Sequence, residues 1–268
     1  MKVTQLRFEG FLKTPTLWES THVYDLSQFK IEQKSIEIDK EIDTKQRLGK
    51  YVERFVSHQL VNTEGISLIA ENIQISKDRI TLGELDCLLY KNGNPIHLEV
   101  IYKFYLYDPT KQGLDCWIGP NKKDRLVEKL EKLQQKQLPL LFSKESEKFL
   151  NSISLHSADI SQQVYFKAQL FLPLGMGTLI NTSINTDCIV GFYCSPQSLT
   201  KFKNAKFFIP SKKDWLIIPH TNVDWMGYEK YLEESKTYLE RQFSPLCWMK
   251  TTTGELKKFF LIWWGHNL

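Results

Sequence analysis

The dipeptide Asn92-Gly93 constrains the fold of this chain more than any other feature. It sits in Lys91-Asn92-Gly93-Asn94, between the apolar runs Thr81–Tyr90 and Pro95–Leu106. A two-residue type I′ turn requires positive φ at both central positions, and Asn-Gly adopts this readily. The spacing predicts an antiparallel hairpin with Lys91 opposite Asn94, Leu88 opposite His97, Asp86 opposite Glu99 and Glu84 opposite Ile101. Strand alternation then puts Glu84, Asp86 and Leu88 on one face with His97, Glu99, Ile101 and Lys103.

That register brings two carboxylates together. Opposed side chains on one face of an antiparallel pair have Cβ atoms about 4.5–5.5 Å apart, and like charges there repel. A cation between them removes the repulsion. Hard, oxygen-preferring Mg²⁺ is held by carboxylates in this way, with substrate phosphate completing its shell. Asp86 and Glu99 interrupt otherwise apolar runs, Leu85-Asp86-Cys87-Leu88-Leu89 and Leu98-Glu99-Val100-Ile101. Charge inside a buried strand is costly, which favours a functional reading. The alternative is a solvated edge hairpin on which Glu84, Asp86 and Lys103 are weakly paired surface groups.

The flanking elements set the hairpin in a mixed α/β order. Leu48, Tyr51, Val52, Phe55, Val56 and Leu60 recur at helical spacing, which predicts a helix over Thr44–Leu60. Ile66–Ile75 reads as a strand before the hairpin. A second helix is expected from about Asn121, with Leu126, Leu130, Leu133 and Leu138 as its stripe, ending at Leu138-Pro139. Ser143–Ile153 reads as a short helix and Val164–Leu174 as a strand. Strands near Cys188–Tyr193 and Ala205–Pro210, a helix over Trp225–Arg241 and a hairpin of Pro245–Lys250 with Lys257–Trp264 follow. The first forty residues give no clear periodicity. One domain over 1–268 is expected, with a core over about 44–174 and an α+β extension over about 175–268; a second domain from about Gln162 is the alternative.

Composition narrows the class without naming a function. Among 268 residues, 42% are apolar, 13% aromatic and 25% charged, which excludes a disordered or fibrous chain. A net charge of +4 permits a nucleic-acid partner without arguing for one. The five cysteines show no CxxC spacing, so neither a disulfide scaffold nor a structural zinc site is expected. No segment has the apolar core of a signal peptide, and none approaches the roughly 20 apolar residues of a membrane span. The expectation is a soluble, cytoplasmic protein with no membrane partner.

Gly83-Glu84-Leu85-Asp86, a hairpin, Leu98-Glu99-Val100 and a nearby lysine resemble the PD-(D/E)XK nuclease-like superfamily. Its core order of helix, three strands, helix, strand matches the order read over Thr44 to about Leu174, a restriction-endonuclease-like α/β core. The stretch from Glu99 to Leu106, continuing through Trp117-Ile118-Gly119-Pro120-Asn121 and Lys123-Asp124-Arg125-Leu126, is similar to one bacterial branch, domain-of-unknown-function family 1853.

The resemblance implies Mg²⁺ or Mn²⁺ bound by Asp86 and Glu99, with Glu53 of the first helix as a further acidic residue. It implies a metal-dependent nuclease acting on DNA or RNA. Where the pattern has lysine two residues after the glutamate, this chain has Ile101; Lys103, one strand repeat on, is the replacement expected to orient water or meet phosphate. A scaffold that binds nucleic acid or a protein partner without cutting is the alternative. His97 and Glu84 are possible accessory groups on the same face. Lys122, Lys123 and Arg125 are expected at the start of the second helix, where amide N–H groups favour phosphate, with Asp124 as a cap. Trp263 and Trp264 read as core or interface aromatics.

Overall fold

The structure is a computed structural model that describes residues 2–19, 23–32, 36–38, 42, 45–177, 179 and 183–265. Five α-helices and nine strands are described: α1 (Val3–Lys13), α2 (Leu48–Val61), β1 (Ile66–Lys77), β2 (Ile80–Lys91), β3 (Asn94–Tyr107), β4 (Trp117–Ile118), α3 (Leu126–Lys132), α4 (Lys144–Ser152), β5 (Ser161–Pro173), β6 (Ile189–Cys194), β7 (Lys206–Phe208), α5 (Tyr228–Glu240), β8 (Leu246–Lys250) and β9 (Leu256–Leu261). All strands join one mixed sheet in the order β1-β2-β3-β5-β6-β9-β8-β7, with β4 paired to β3. The fold is therefore mixed α/β, with a large mixed sheet and several helices. No helix among the described residues is long and apolar enough to cross a membrane.

The hairpin forms in the expected register. Lys91 pairs with Asn94, Leu88 with His97 and Cys87 with Leu98. Asn92 and Gly93 both have positive φ, 51° and 82°. The ladder then stops. Asp86 pairs with neither neighbouring strand, and Asn72, which stands between the β1 partners of Leu85 and Cys87, has φ 54°. Leu85 and Leu88 both pack into one cluster with Leu141 and Leu150, although strict alternation would separate them. Cys87 and Leu89 face the α2 side instead. Alternation thus slips by one near Asp86, while the register with β1 stays the same on either side, Ile73 opposite Leu85 and Glu71 opposite Cys87.

This slip corrects the expected pairs. Glu84 is opposite Gln74 of β1 rather than Ile101, and Glu84 and Asp86 do not share a face with His97 and Glu99.

β3 is parallel to β5 from Ile96↔Ser161 to Leu106↔Phe171, while β4 reaches only Leu106 and Tyr107 on its other edge. Between the end of the β2 ladder and β4, that edge of β3 has no strand partner among the described residues. One face of the sheet packs against α1 and α2 through Phe8, Phe11, Tyr51, Phe55 and Tyr102. The other packs against α3 through Ile101, Tyr105, Leu126, Leu130 and Leu133. β5 is buried almost throughout, as a parallel strand covered on both faces must be.

Other boundaries shift for local reasons. The first expected helix begins at Leu48, and Thr44 lies outside the described residues. The second begins at Leu126 rather than near Asn121. Residues 119–124 form a turn closed by the Gly119 amide donating to the Asp124 carbonyl (2.8 Å) and Lys122 to the Gly119 carbonyl (2.8 Å). A Cβ at position 119 would lie 1.9 Å from Asp124 Oδ1, so a larger residue there would displace the Asp124 carboxylate. Beyond Lys132 the chain continues through a π turn, Leu133–Gln137, and a 3-10 segment, Leu138–Phe142, instead of ending at Pro139. α1, in the stretch without clear periodicity, packs its Phe8, Gly10, Phe11 and Leu12 inward.

Candidate active site

The break in the β2–β3 ladder creates the site. Where a strand partner would donate and accept, the Asp86 side chain substitutes: its Oδ2 accepts the Val100 N–H at 2.9 Å. Asp86 thereby sits at the uncovered edge of β3, reachable from both faces of the sheet. From the α2 face come Glu53 and Glu84. One carboxylate oxygen from each of Glu53, Glu84 and Asp86 lies within 4.8 Å of the others. Lys50, one turn before Glu53 on α2, is lodged among them. Its Nζ donates to Glu53 Oε2 (2.8 Å), Asn72 Oδ1 (3.0 Å) and Glu84 Oε1. Burial opposes its charge, but these acceptors outweigh that and raise its pKa.

Glu99 approaches from the α3 face. It is fully buried, and both its oxygens accept hydrogen bonds, Oε1 from His97 Nε2 (3.2 Å) and Oε2 from Gln137 Nε2 (2.5 Å). Gln162 Nε2 donates to His97 Nδ1 (2.9 Å) and to the Leu138 carbonyl (2.7 Å). A ring whose Nδ1 accepts carries its proton on Nε2, which assigns the tautomer that donates to Glu99. His97 therefore positions Glu99.

The carboxylates feel one another. Burial, then the charge of Glu99, pushes the Asp86 carboxyl well above the usual carboxylate range, with Glu53 adding to it; the Val100 amide and Lys50 pull the other way. Burial also raises the Glu53 carboxyl, against the pull of Lys50. Three acidic groups, Glu53, Glu84 and Asp86, thus converge on one strand edge, with Glu99 acting on Asp86 from the opposite face and Lys50 as the only ammonium bonded to the three among the described residues. An all-carboxylate oxygen set suits a hard divalent ion.

The expected cations are dispersed. Lys103 bonds to none of these carboxylates and pairs with Asp124 at 2.6 Å, so Asp124 is a partner for Lys103, and the N-cap position of α3 belongs to Arg125. Arg125 is committed to Glu128 (2.9 Å) and Asp115 (3.2 Å). Lys122 and Lys123 lie in the turn before α3 rather than on it, and α3 has only seven residues. Lys122 Nζ rests 4.0 Å from the centre of the Trp264 ring, whose Nε1 donates to the Pro120 carbonyl (2.9 Å). Trp264 is thus a clamp on this turn. The Ser244 amide holds the same turn through Asn121 Oδ1 (2.7 Å).

Sequence reasoning missed Lys50, Lys129, Gln137 and Gln162. Two carried a signal. Lys50 precedes Glu53 by three residues, on the same helix face. Lys129 occupies the apolar stripe of α3, three residues after Leu126 and four before Leu133. Its Nζ donates to Gln137 Oε1 at 2.6 Å.

Fold and site together define a mixed α/β protein with a partly buried acidic centre at an open strand edge. A family described as a domain of unknown function (DUF1853) matches residues 16–261, and the chain belongs to that family. No curated protein and no solved structure matches the chain.

Proposed function

We propose that this protein is a Mg²⁺- or Mn²⁺-dependent phosphodiesterase acting on nucleic acid, built on a PD-(D/E)XK nuclease-like core. The observation that carries the proposal is the convergence of Glu53, Glu84 and Asp86 at the strand edge beside buried Glu99. The order α2, the β1-β2-β3 meander, α3, then β5 parallel to β3 supports the restriction-endonuclease-like core. Five buried free thiols support a reducing, cytoplasmic setting.

Asp86, Glu53 and Glu84 would hold the ion, taking the place of the Lys50 ammonium, with Glu99 facing it from the other side of the sheet. When bound, the ion supplies positive charge that favours deprotonation of water and negative charge at phosphorus. His97 and Gln137 fix the Glu99 carboxylate, and the Val100 amide fixes Asp86, so these two groups are held in place before substrate arrives. In the hydrolysis, a water oxygen bonds to phosphorus and one ester P–O bond breaks. The proton lost by water passes to solvent, and the leaving alkoxide takes one up. Lys122 and Lys123, exposed on the turn beside the site, would contact the backbone phosphates.

A second reading is favoured by Lys50 itself: an internal ammonium already neutralises part of the cluster, as in a scaffold that binds nucleic acid without cutting. Cleavage of labelled DNA and RNA oligonucleotides with Mg²⁺ or Mn²⁺ separates the two. The nuclease reading expects cleavage by the natural chain, with Asp86→Ala and Glu99→Ala each slowing it by at least about 100-fold. Salt-sensitive binding with no cleavage, or cleavage retained in both variants, overturns it.

A further inference from the structure

Phosphodiester hydrolysis builds negative charge on the non-bridging oxygens of phosphorus, and a fixed cation facing them lowers the barrier. Three lysines border the acidic centre. Lys50 is spent on two carboxylates and an amide. Lys103 is bound to Asp124. Lys129 differs from both, since no ion pair among the described residues involves it and its bond is to the neutral Gln137.

Three structural features aim Lys129 at the site. First, its position among Leu126, Leu130 and Leu133 turns it inward, toward the face of β3 that carries Glu99. Second, Gln137 bridges Lys129 and Glu99, accepting from one through Oε1 and donating to the other through Nε2. In an unbroken α-helix the residue stacked two turns beyond Lys129 would be Lys136, seven residues on. The π turn over Leu133–Gln137 inserts one residue and brings Gln137 to that place. Third, burial dominates the electrostatics of Lys129 and lowers its pKa to about 8, with Glu99 and Asp86 opposing and Lys103 and Lys132 adding to the lowering, so the ammonium is desolvated yet still mostly charged at neutral pH.

We propose that Lys129 is a catalytic cation of this site, contacting the non-bridging oxygens of the bound phosphodiester, and that Gln137 is its positioning residue. Lys129 remains an ammonium throughout; it donates hydrogen bonds and gives up no proton. The inference rests on the phosphodiesterase reading for its chemistry, but the phosphate contact is tested separately.

The experiment compares the natural chain with Lys129→Met, Lys129→Arg and Lys103→Met on labelled 12-mer oligonucleotides in Mn²⁺. Single-turnover cleavage gives a rate constant and a half-saturating protein concentration; fluorescence anisotropy gives affinity where nothing is cut. Mn²⁺ calorimetry and a thermal melt accompany each variant. The expected result is a loss of affinity of about tenfold in Lys129→Met and a further loss of about 100-fold in rate at saturation. Mn²⁺ affinity should stay within about twofold, Lys129→Arg should recover most of the affinity, and Lys103→Met should stay within about threefold of the natural chain. If the natural chain binds but never cuts, the phosphodiesterase reading fails, and affinity alone then decides the phosphate contact. Unchanged affinity in Lys129→Met, or a parallel loss of Mn²⁺ binding that makes the lysine merely structural, overturns the inference.

Discussion

At Asp86 two demands meet: a strand edge needs an acceptor for the Val100 amide, and the same carboxylate lies among three others. The first demand favours the charged form; burial and Glu99 favour the protonated one, and they prevail. The sign of the pH dependence follows. An unfolded Asp loses its proton near pH 4, whereas the folded, metal-free protein keeps it to higher pH. This contribution to stability is fully present below about pH 4 and is lost as pH rises through the folded pKa. In EDTA, this group alone should therefore lower the thermal midpoint between pH 5 and pH 8.5, against the rise that buried Lys167 and Lys258 contribute as pH increases. Asp86→Asn, which retains an acceptor for Val100, should flatten that fall and be more stable at pH 8.5 by about 2 kcal/mol. Parallel pH slopes for the two proteins would contradict this.

The acids were readable because Asp86 and Glu99 stand inside apolar runs and the Asn-Gly turn fixes their offset. The cations were not. Lys103 lies on the expected face, one strand repeat beyond the motif place, but it pairs with Asp124, whose carbonyl accepts the Gly119 amide that closes the turn. Gln137 reaches Glu99 only through a π turn, for which the sequence offers no marker.

Among the elements, the hairpin follows directly from its turn chemistry, and its register holds from Lys91 to Cys87. The slip at Asp86 is a backbone event between two ordinary strand residues, so alternation extrapolated past it puts Glu84 and Asp86 on the wrong face. α1 was illegible for another reason: Gly10 interrupts its pattern. A glycine weakens a helix, but here it lets α1 lie against the chain at Leu216, whose carbonyl oxygen would be 2.0 Å from a Cβ.

The end of α1 is also fixed from outside, by Lys167 of β5. This buried ammonium donates to the carbonyls of Phe11 (3.0 Å), Leu12 (3.0 Å) and Thr14 (2.7 Å). Burial lowers its pKa to about 7. Yet three acceptors require all three N–H groups of the charged form, and a cation suits a helix C-terminus. Lys167→Met removes the donor shared by these carbonyls and should cost about 3 kcal/mol in denaturant unfolding. A loss under about 0.5 kcal/mol would show that α1 is held by its aromatic packing alone.

On the scale of the whole molecule, one sheet links the acidic centre to the C-terminal strands. β6 and β9 extend the sheet from β5, and the last described turn of chain reaches back to the turn over residues 119–124 through Trp264 on Pro120 and Lys122. The extension, read from sequence as strands near Cys188–Tyr193 and Ala205–Pro210, a helix and an aromatic hairpin, thus braces the turn that carries Lys122, Lys123 and Asp124. No short motif announces such a contact, because it joins residues 144 positions apart. The central claim is that the acidic edge of β3 is a divalent-cation site. Calorimetric titration of the metal-free protein with Mn²⁺ tests it most directly. The account predicts saturable binding by the natural chain that is weakened at least about tenfold in Asp86→Asn and strengthened in Lys50→Met, where the competing ammonium is gone. No saturable binding, or equal binding in the natural chain and Asp86→Asn, would contradict it.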